Sequence, residues 1–336
     1  MRPTDIPRVA WVPACAALLA ACHAPMSALG PAGPGAARIT GLTWGLMVAA
    51  ALVASVVGVL FLGAIRRNGA GDSTVDLTPR GNRFVTVGGV MLPAAVLLAV
   101  FLVGLGVLHR MSTNTSLPEV TFELTGHQWW WDVEYLDPVI ARRFHAANEI
   151  HVPVGRVVHL RLVSADVIHS FWVPSLQGKL DLVPGDTNDM RFVASEPGSW
   201  RGQCAEYCGA QHAHMAFTVV AEDDASFQHW LADQQAPAIQ SSDSLSTIGR
   251  ALVVTGPCAL CHTVRGTMAR GQVAPDLTHV GSRTTLAAGL LPNQLGTMEA
   301  WVANPQSLKP GVRMPTMTQF SGVELRAIAA YLEGLR

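Results

Sequence analysis

The sequence predicts a multi-domain membrane protein: a two-helix transmembrane hairpin, then an antiparallel β-sandwich or small barrel, then a module built around a Cys-x-x-Cys-His motif. Three observations carry this. Residues 39–65 and 84–108 are uncharged runs, each longer than the roughly 20 residues a helix needs to cross a bilayer. From about Val120 the pattern changes to short alternating stretches broken by Gly and Pro turns, the signature of a sandwich or barrel. Beyond a run of Gln, Ser, Ala and Asp at 233–247 comes Cys258-Ala-Leu-Cys261-His262.

Composition agrees. Of the 336 residues 49% are hydrophobic and only 14% charged, a balance that favours a membrane protein over a soluble one. A net charge of −1 argues against a nucleic-acid partner. The six Cys fall into three close pairs (15 and 22, 204 and 208, 258 and 261), which suits metal, haem and processing chemistry better than a disulfide framework.

In chain order, Arg2 and Arg8 precede a short apolar run at 10–21 that reads as a signal peptide. It ends in Leu19-Ala-Ala-Cys22, which resembles a bacterial lipobox and implies cleavage before Cys22 and lipid on its sulfur; a small-residue signal that happens to contain Cys is the alternative. Residues 22–38, rich in Pro, Gly and Ala, are expected to be irregular. The anchor spans 39–110. Arg66, Arg67, Arg80 and Arg83 lie between its two runs, so the positive-inside rule puts that loop in the cytoplasm and everything after Leu108 outside. Pro93 is tolerable in a membrane helix. Neither run contains His, so this chain holds no haem or copper site for oxygen within the bilayer.

The domain at 111–232 includes Val120-Thr-Phe-Glu-Leu, Glu149-Ile-His-Val-Pro and Val157-Val-His-Leu-Arg-Leu-Val as strands, with turns at Val183-Pro-Gly-Asp and Glu196-Pro-Gly-Ser. Its chemistry is concentrated in Cys204-Ala-Glu-Tyr-Cys208-Gly-Ala-Gln-His212-Ala-His-Met215. Thiolate, imidazole and thioether together form the donor set that selects copper. A single blue-copper site uses one Cys, so the second sulfur suggests two ions bridged by both. The missing second His has a candidate in His169, within Val167-Ile-His-Ser-Phe-Trp-Val173. A disulfide or a zinc site would use the Cys pair but leave Met215 and His169 idle.

His169 followed by C-x-E-x-C-x3-H-x2-M resembles the dinuclear CuA centre of cytochrome c oxidase subunit II, and the likeness extends from about residue 22 to the end. It implies a cupredoxin-like fold, Cys204 and Cys208 as bridging ligands, His169 and His212 as terminal ligands, and Met215 and the Glu206 carbonyl as weak axial ones. It further implies a Mg2+ ion shared with subunit I through the Glu206 side chain. In Gly126-His-Gln-Trp129-Trp-Trp131 it makes Trp129 the point where electrons enter, alongside core packing or interfacial anchoring of this aromatic cluster. Asp166 and Asp181 are candidate docking acids for a basic cytochrome c, or simply a solvated face. Many relatives carry a Glu seven residues before the proline of the second span, where this chain has Thr86.

Residues 233–247 have linker composition and as a flexible coil would reach roughly 20 Å. In the module at 248–336, Cys258 and Cys261 are positioned for thioether bonds to haem c and His262 to bind its iron. The rest resembles an all-α class I cytochrome c. Pro275-Asp-Leu277 resembles the stretch whose proline carbonyl orients the haem-ligating His. Trp301 is expected to open a helix and pack on the haem edge. Met314-Pro315 resembles the axial methionine loop, with Met317 the competitor and Met298 more distant. Ser321 and Glu324 form a capping box for a terminal amphipathic helix.

The whole resembles subunit II of a caa3-type oxidase. The implied function is to pass electrons from haem c to CuA and on to subunit I, for oxygen reduction to water. The implied setting is the bacterial inner membrane, with both metal domains periplasmic, other oxidase subunits alongside, and an external cytochrome c or quinol–cytochrome c reductase as donor. An input subunit of a CuA-containing nitric oxide reductase and a membrane-anchored copper-delivery protein are the alternatives.

Overall fold

The computed structural model describes residues 26–67, 79–112, 118–239 and 243–336. The expected leader at 1–21, Cys22 and most of the loop expected to be cytoplasmic lie outside these residues. The chain divides into two compact units, one formed by residues 37–115 and the other by 1–36 with 116–336.

The first unit is helical. Helix α1 spans Pro34–Arg67, α2 Pro79–Val85 and α3 Leu92–Ser112, with a π-helical turn at Thr86–Met91 joining the last two. Two candidate spans of 33 and 31 residues result, longer than the bilayer core requires. Their Leu, Val and Phe side chains point outward, Val59 and Leu97 each being 69% exposed. The π-turn has a local cause. Pro93 carries no N–H and its ring crowds the carbonyl four residues back, and the wider turn absorbs it, with the Leu92 N–H donating to Val87 O. Thr86 opens that turn and donates its hydroxyl to Asn82 O at 2.9 Å.

In the second unit, a five-stranded sheet ordered β3-β2-β1-β5-β8 faces a three-stranded sheet ordered β4-β10-β9, with β6 and β7 as a separate pair. The strands are β1 Val120–His127, β2 Trp130–Leu136, β3 Phe144–Ala147, β4 Glu149–Pro153, β5 Val158–Ser164, β6 His169–Phe171, β7 Leu180–Leu182, β8 Asn188–Phe192, β9 Gly198–Gln203 and β10 Ala216–Glu222. Period-two burial is strict on these two strands: Phe122 and Leu124 on β1 and Val158, Leu160 and Leu162 on β5 are fully buried between half-buried neighbours. Most pairings are antiparallel as expected, but β1 with β5 and β4 with β10 run parallel. Alternation reports which face is buried and not which neighbour a strand takes, so it does not disclose this. Trp131, Phe171 and Phe217 fill the centre, with ring centroids 5.2 Å apart for Trp131–Phe217 and 4.9 Å for Phe171–Phe217. The stretch before α1 is stitched to this domain: Ala32 N donates to Ser175 O and Ser195 N to Ala32 O, both at 2.7 Å.

Helix α4 (Asp224–Gln235) follows β10, and α5 (Ser244–Thr255) begins the C-terminal module. The two helices overlap both ends of the 233–247 linker. The rest of the module comprises the two-residue strands β11 (Thr285–Leu286) and β12 (Leu291–Pro292), and the helices α6 (Leu295–Ala303), α7 (Pro305–Leu308) and α8 (Gly322–Gly334). Helix α8 starts at the Ser321–Glu324 capping box. It crosses α5 at Gly249, where a β-carbon would fall 1.9 Å from Ala327 O, so only glycine permits the contact. Trp301 lies in the last turn of α6 instead of opening it; Gln294 and Thr297 supply the cap that starts this helix.

Candidate metal centre and haem site

The loop between β9 and β10 folds back so that its ends meet, Cys204 N donating to Met215 O at 3.0 Å. Ala205 N donates to Ser170 O on β6, which brings His169 alongside. Five side chains converge as a result. Cys204 Sγ lies 3.8 Å from Cys208 Sγ, 3.9 Å from His169 Nδ1 and 3.2 Å from Glu206 O. Cys208 Sγ lies 3.6 Å from His212 Nδ1 and 3.7 Å from Met215 Sδ. His169, Cys204 and Cys208 form a buried group whose ligand atoms all fall within 4.8 Å of one another. Both Cys are free. Every donor that the sequence reading singled out is therefore at one place, with the Glu206 carbonyl turned inward.

The electrostatics suit cation binding. The hydrogen bond from Cys208 pulls the Cys204 thiol down to about 4 against the cost of burial, and His169 adds to the effect. Cys208 is pushed up by that neighbouring thiolate, and binding of a cation would release its proton. His169 donates from Nε2 to Asp166 Oδ1 at 2.8 Å, which fixes the tautomer and leaves Nδ1 facing the sulfurs. Burial opposes ionisation of Asp166, but hydrogen bonds from His169 and from the Gln128 and Val167 amides hold it below the usual carboxylate range.

Asp166 is thus not a solvated docking acid: its carboxylate is committed to His169 and Gln128, and Arg313 of the C-terminal module stands 3.7 Å away. Asp181 is half-exposed, 3.9 Å from Lys179, which also lies 3.6 Å from the half-exposed Glu206 carboxylate. Trp129 is buried, and it and Gln128 donate from Nε1 and Nε2 to Cys208 O at 3.0 and 2.8 Å.

In the C-terminal module, His262 Nδ1 donates to Pro275 O at 2.7 Å, the bond expected of Pro275. Burial lowers the His262 pKa, so the ring is neutral and its Nε2 lone pair is free to bind iron. Cys258 and Cys261 are free and half-buried beside it. Met314 is half-buried, whereas Met317 is buried in the core with its Sδ 3.4 Å from Gln319 Nε2. Gln306 staples the methionine loop by donating to the Val312 and Met314 carbonyls at 2.6 and 2.8 Å.

Residues 136–222 match the family described as cytochrome c oxidase subunit II, periplasmic domain, and residues 246–336 match cytochrome c. The chain is 34% identical over 320 residues to cytochrome c oxidase subunit 2 of Alkalihalophilus pseudofirmus, covering 93% of this chain and 91% of that one. The chain belongs to the cytochrome c oxidase subunit II family. It is also 30% identical to cytochrome c oxidase subunit 2 of Bacillus subtilis, covering 95% of this chain and 94% of the other. The crystal structure of the periplasmic domain of cytochrome oxidase subunit II from Bradyrhizobium japonicum aligns with 35% of this chain and 95% of its own, at 30% identity and a TM-score of 0.33. Membership makes this chain part of an oxidoreductase complex, with a CuA-type domain and a cytochrome c domain in one polypeptide. Soft sulfur and imidazole around Cys204 and Cys208 fit copper, and the neutral His262 next to a thiol pair fits haem.

The sequence offered Asp166 as a docking acid, although its position three residues before His169 signals the bond between them. Gly126, Gln128 and Lys309 gave no signal, because each acts through contacts made by folding.

Proposed function

We propose that this chain is the electron-input subunit of a terminal respiratory oxidase, taking electrons at haem c, passing them to CuA and delivering them to subunit I, where oxygen is reduced to water. The convergence of His169, Cys204, Cys208, His212 and Met215 on one buried point carries this reading. Cys204, Cys208, His169, His212, Met215 and the Glu206 carbonyl would hold the copper ions. Cys258 and Cys261 would hold haem covalently, and His262 and Met314 would bind its iron. Met314 is favoured over Met317 because the latter sulfur is already packed in the core. Bound there, both groups supply one-electron transfer.

The protein's own part is positioning. Asp166 and Pro275 each fix one imidazole tautomer, and the β-sheets hold the copper loop from both ends. A rigid donor set of this kind keeps rearrangement on electron transfer small. Trp129 would take electrons into the copper loop, a role that its hydrogen bond to the Cys208 carbonyl supports. Two apolar helices would anchor the chain in the bacterial inner membrane with both metal domains periplasmic, beside subunit I and other oxidase subunits. Glu206, beside Lys179, would reach Mg2+ at the subunit I interface, and a cytochrome c or quinol–cytochrome c reductase would supply the haem.

Turnover tests the proposal. A complex purified through this chain is expected to consume oxygen when its haem c is reduced. Reduction of nitric oxide without oxygen consumption would reassign the chain to a nitric oxide reductase.

A further inference from the structure

Lys309 is among the largest fully buried side chains in the protein, 1% exposed, yet it carries an ammonium group. It belongs to the cytochrome module, at the end of α7, but two of its three N–H donors are used across a seam. Nζ donates to Trp129 O at 2.9 Å, to His214 O at 2.8 Å and to Ala287 O at 2.8 Å. Three donors meet three acceptors, so the group is fully satisfied. The first two acceptors belong to the copper domain, one on the aromatic residue that bonds the Cys208 carbonyl and one on the copper loop itself.

The surroundings are built to the same end. Next to Lys309, Pro310 O accepts from Gln211 Nε2 of the copper loop at 2.8 Å. Gly311, at φ +89°, then passes over the Trp129 ring: a methyl group placed there would lie 3.5 Å from Cη2 and Cζ3. On the other side of Lys309, Ala287 and Ala288 adopt φ of 54° and 61°, a left-handed turn that non-glycine residues avoid. That turn aims Ala287 O at Lys309 and Ala288 O at Ala216 N, 3.1 Å away on β10. Farther along the seam, Thr284 N donates to Glu149 Oε2 at 3.0 Å. Trp129, which the resemblance makes the point of electron entry, is therefore covered by the chain's own cytochrome module.

We propose that Lys309 is the latch of a permanent dock that seats the cytochrome module over Trp129, so that the donor reaching the copper loop is this chain's own haem and not a diffusing cytochrome. The second clause rests on the electron route proposed above. In this view 233–247 connects two modules that are already locked, and its reach does not set the transfer rate. The latch also ties the two sites together: Gln306, one helical turn before Lys309, holds the loop that carries Met314. A shift of Lys309 would move both the haem-side loop and Trp129. Lys309 is a positioning residue, not a ligand.

The test uses the full chain, haem-loaded, as wild type, Lys309→Met and Arg313→Glu. Amide hydrogen exchange is read at Ala216 and Thr284, whose N–H groups bond across the seam, against Leu124 in the middle of β1. Lys309→Met leaves three buried carbonyls without a donor, and exchange at both seam amides is expected to rise on the order of 100-fold with Leu124 unchanged. Arg313→Glu is a surface change that sets a carboxylate against Asp166, so a rise of about threefold is expected, without any buried hole. In parallel, photoreduction of the haem in copper-loaded protein should show slower reduction of copper in Lys309→Met, and added soluble cytochrome c should now compete. Unchanged seam exchange in both variants, or an unchanged transfer rate in Lys309→Met, overturns the latch. A wild type in which reduced haem never reduces copper overturns the electron route alone, because seam exchange reports the dock without it.

Discussion

Gly126→Ala is expected to lower copper affinity by about 10- to 100-fold, the range seen when a metal-ligating histidine loses its support. A β-carbon at this position would sit 2.8 Å from His169 Cδ2 and 3.0 Å from Cγ. The ring cannot retreat freely, since it is fully buried, bonded to Asp166 at Nε2 and set edge-on to Trp131 with centroids 6.0 Å apart. The added methyl group must therefore push Nδ1 away from Cys204 or break the Asp166 bond. Gly126 lies on β1 in extended backbone that alanine adopts without strain, so the copper-free fold should survive. Competition for copper against a chelator of known affinity reads the first effect, and thermal unfolding of the copper-free protein reads the second. Wild-type affinity in the variant would remove His169 from the ligand set.

Met314→Ala is expected to convert the haem from a low-spin His/Met state to one lacking the methionine bond, with a fall in potential that is a sizeable part of the roughly 0.8 V that axial ligation spans. The substitution removes a half-buried side chain from a loop that Gln306 holds by its carbonyls, so the backbone of the loop should persist. Met317→Ala is the matched control. Its side chain packs in the module's core, so the variant should lose stability while keeping the low-spin spectrum. Optical spectra and a redox titration of both variants decide between them. A native spectrum in Met314→Ala would move the ligand to Met317.

What the sequence disclosed depended on how local each feature is. Cys204, Cys208, His212 and Met215 lie within a single loop, and Cys258, Cys261 and His262 within one turn, so spacing alone exposed both groups. His169, remote in the chain, was reached only because a copper site of this kind needs a second histidine. The two long apolar helices were plain from their lack of charge, although the π-turn at Thr86–Met91 beside Pro93 was not. The parallel pairs β1–β5 and β4–β10 left no mark, since burial alternates in the same way for either direction. Lys309 was invisible for a different reason. A lysine in a loop before Pro-Gly reads as solvated, and only the fold brings the Trp129, His214 and Ala287 carbonyls to its ammonium. Asp166 was misread on the same grounds, as its partners His169 and Arg313 come from either side of the seam.

Cys204 and Cys208 are proposed to hold two copper ions together, beside a haem in the same chain. Electron paramagnetic resonance with metal analysis on the haem-loaded, copper-loaded chain is the decisive measurement. Two copper atoms and one haem per chain are expected, with hyperfine splitting from one electron shared by two equivalent copper nuclei alongside one low-spin haem signal. Splitting from a single copper nucleus, or zinc in place of copper, would contradict this and leave the two sulfurs without a bridging role.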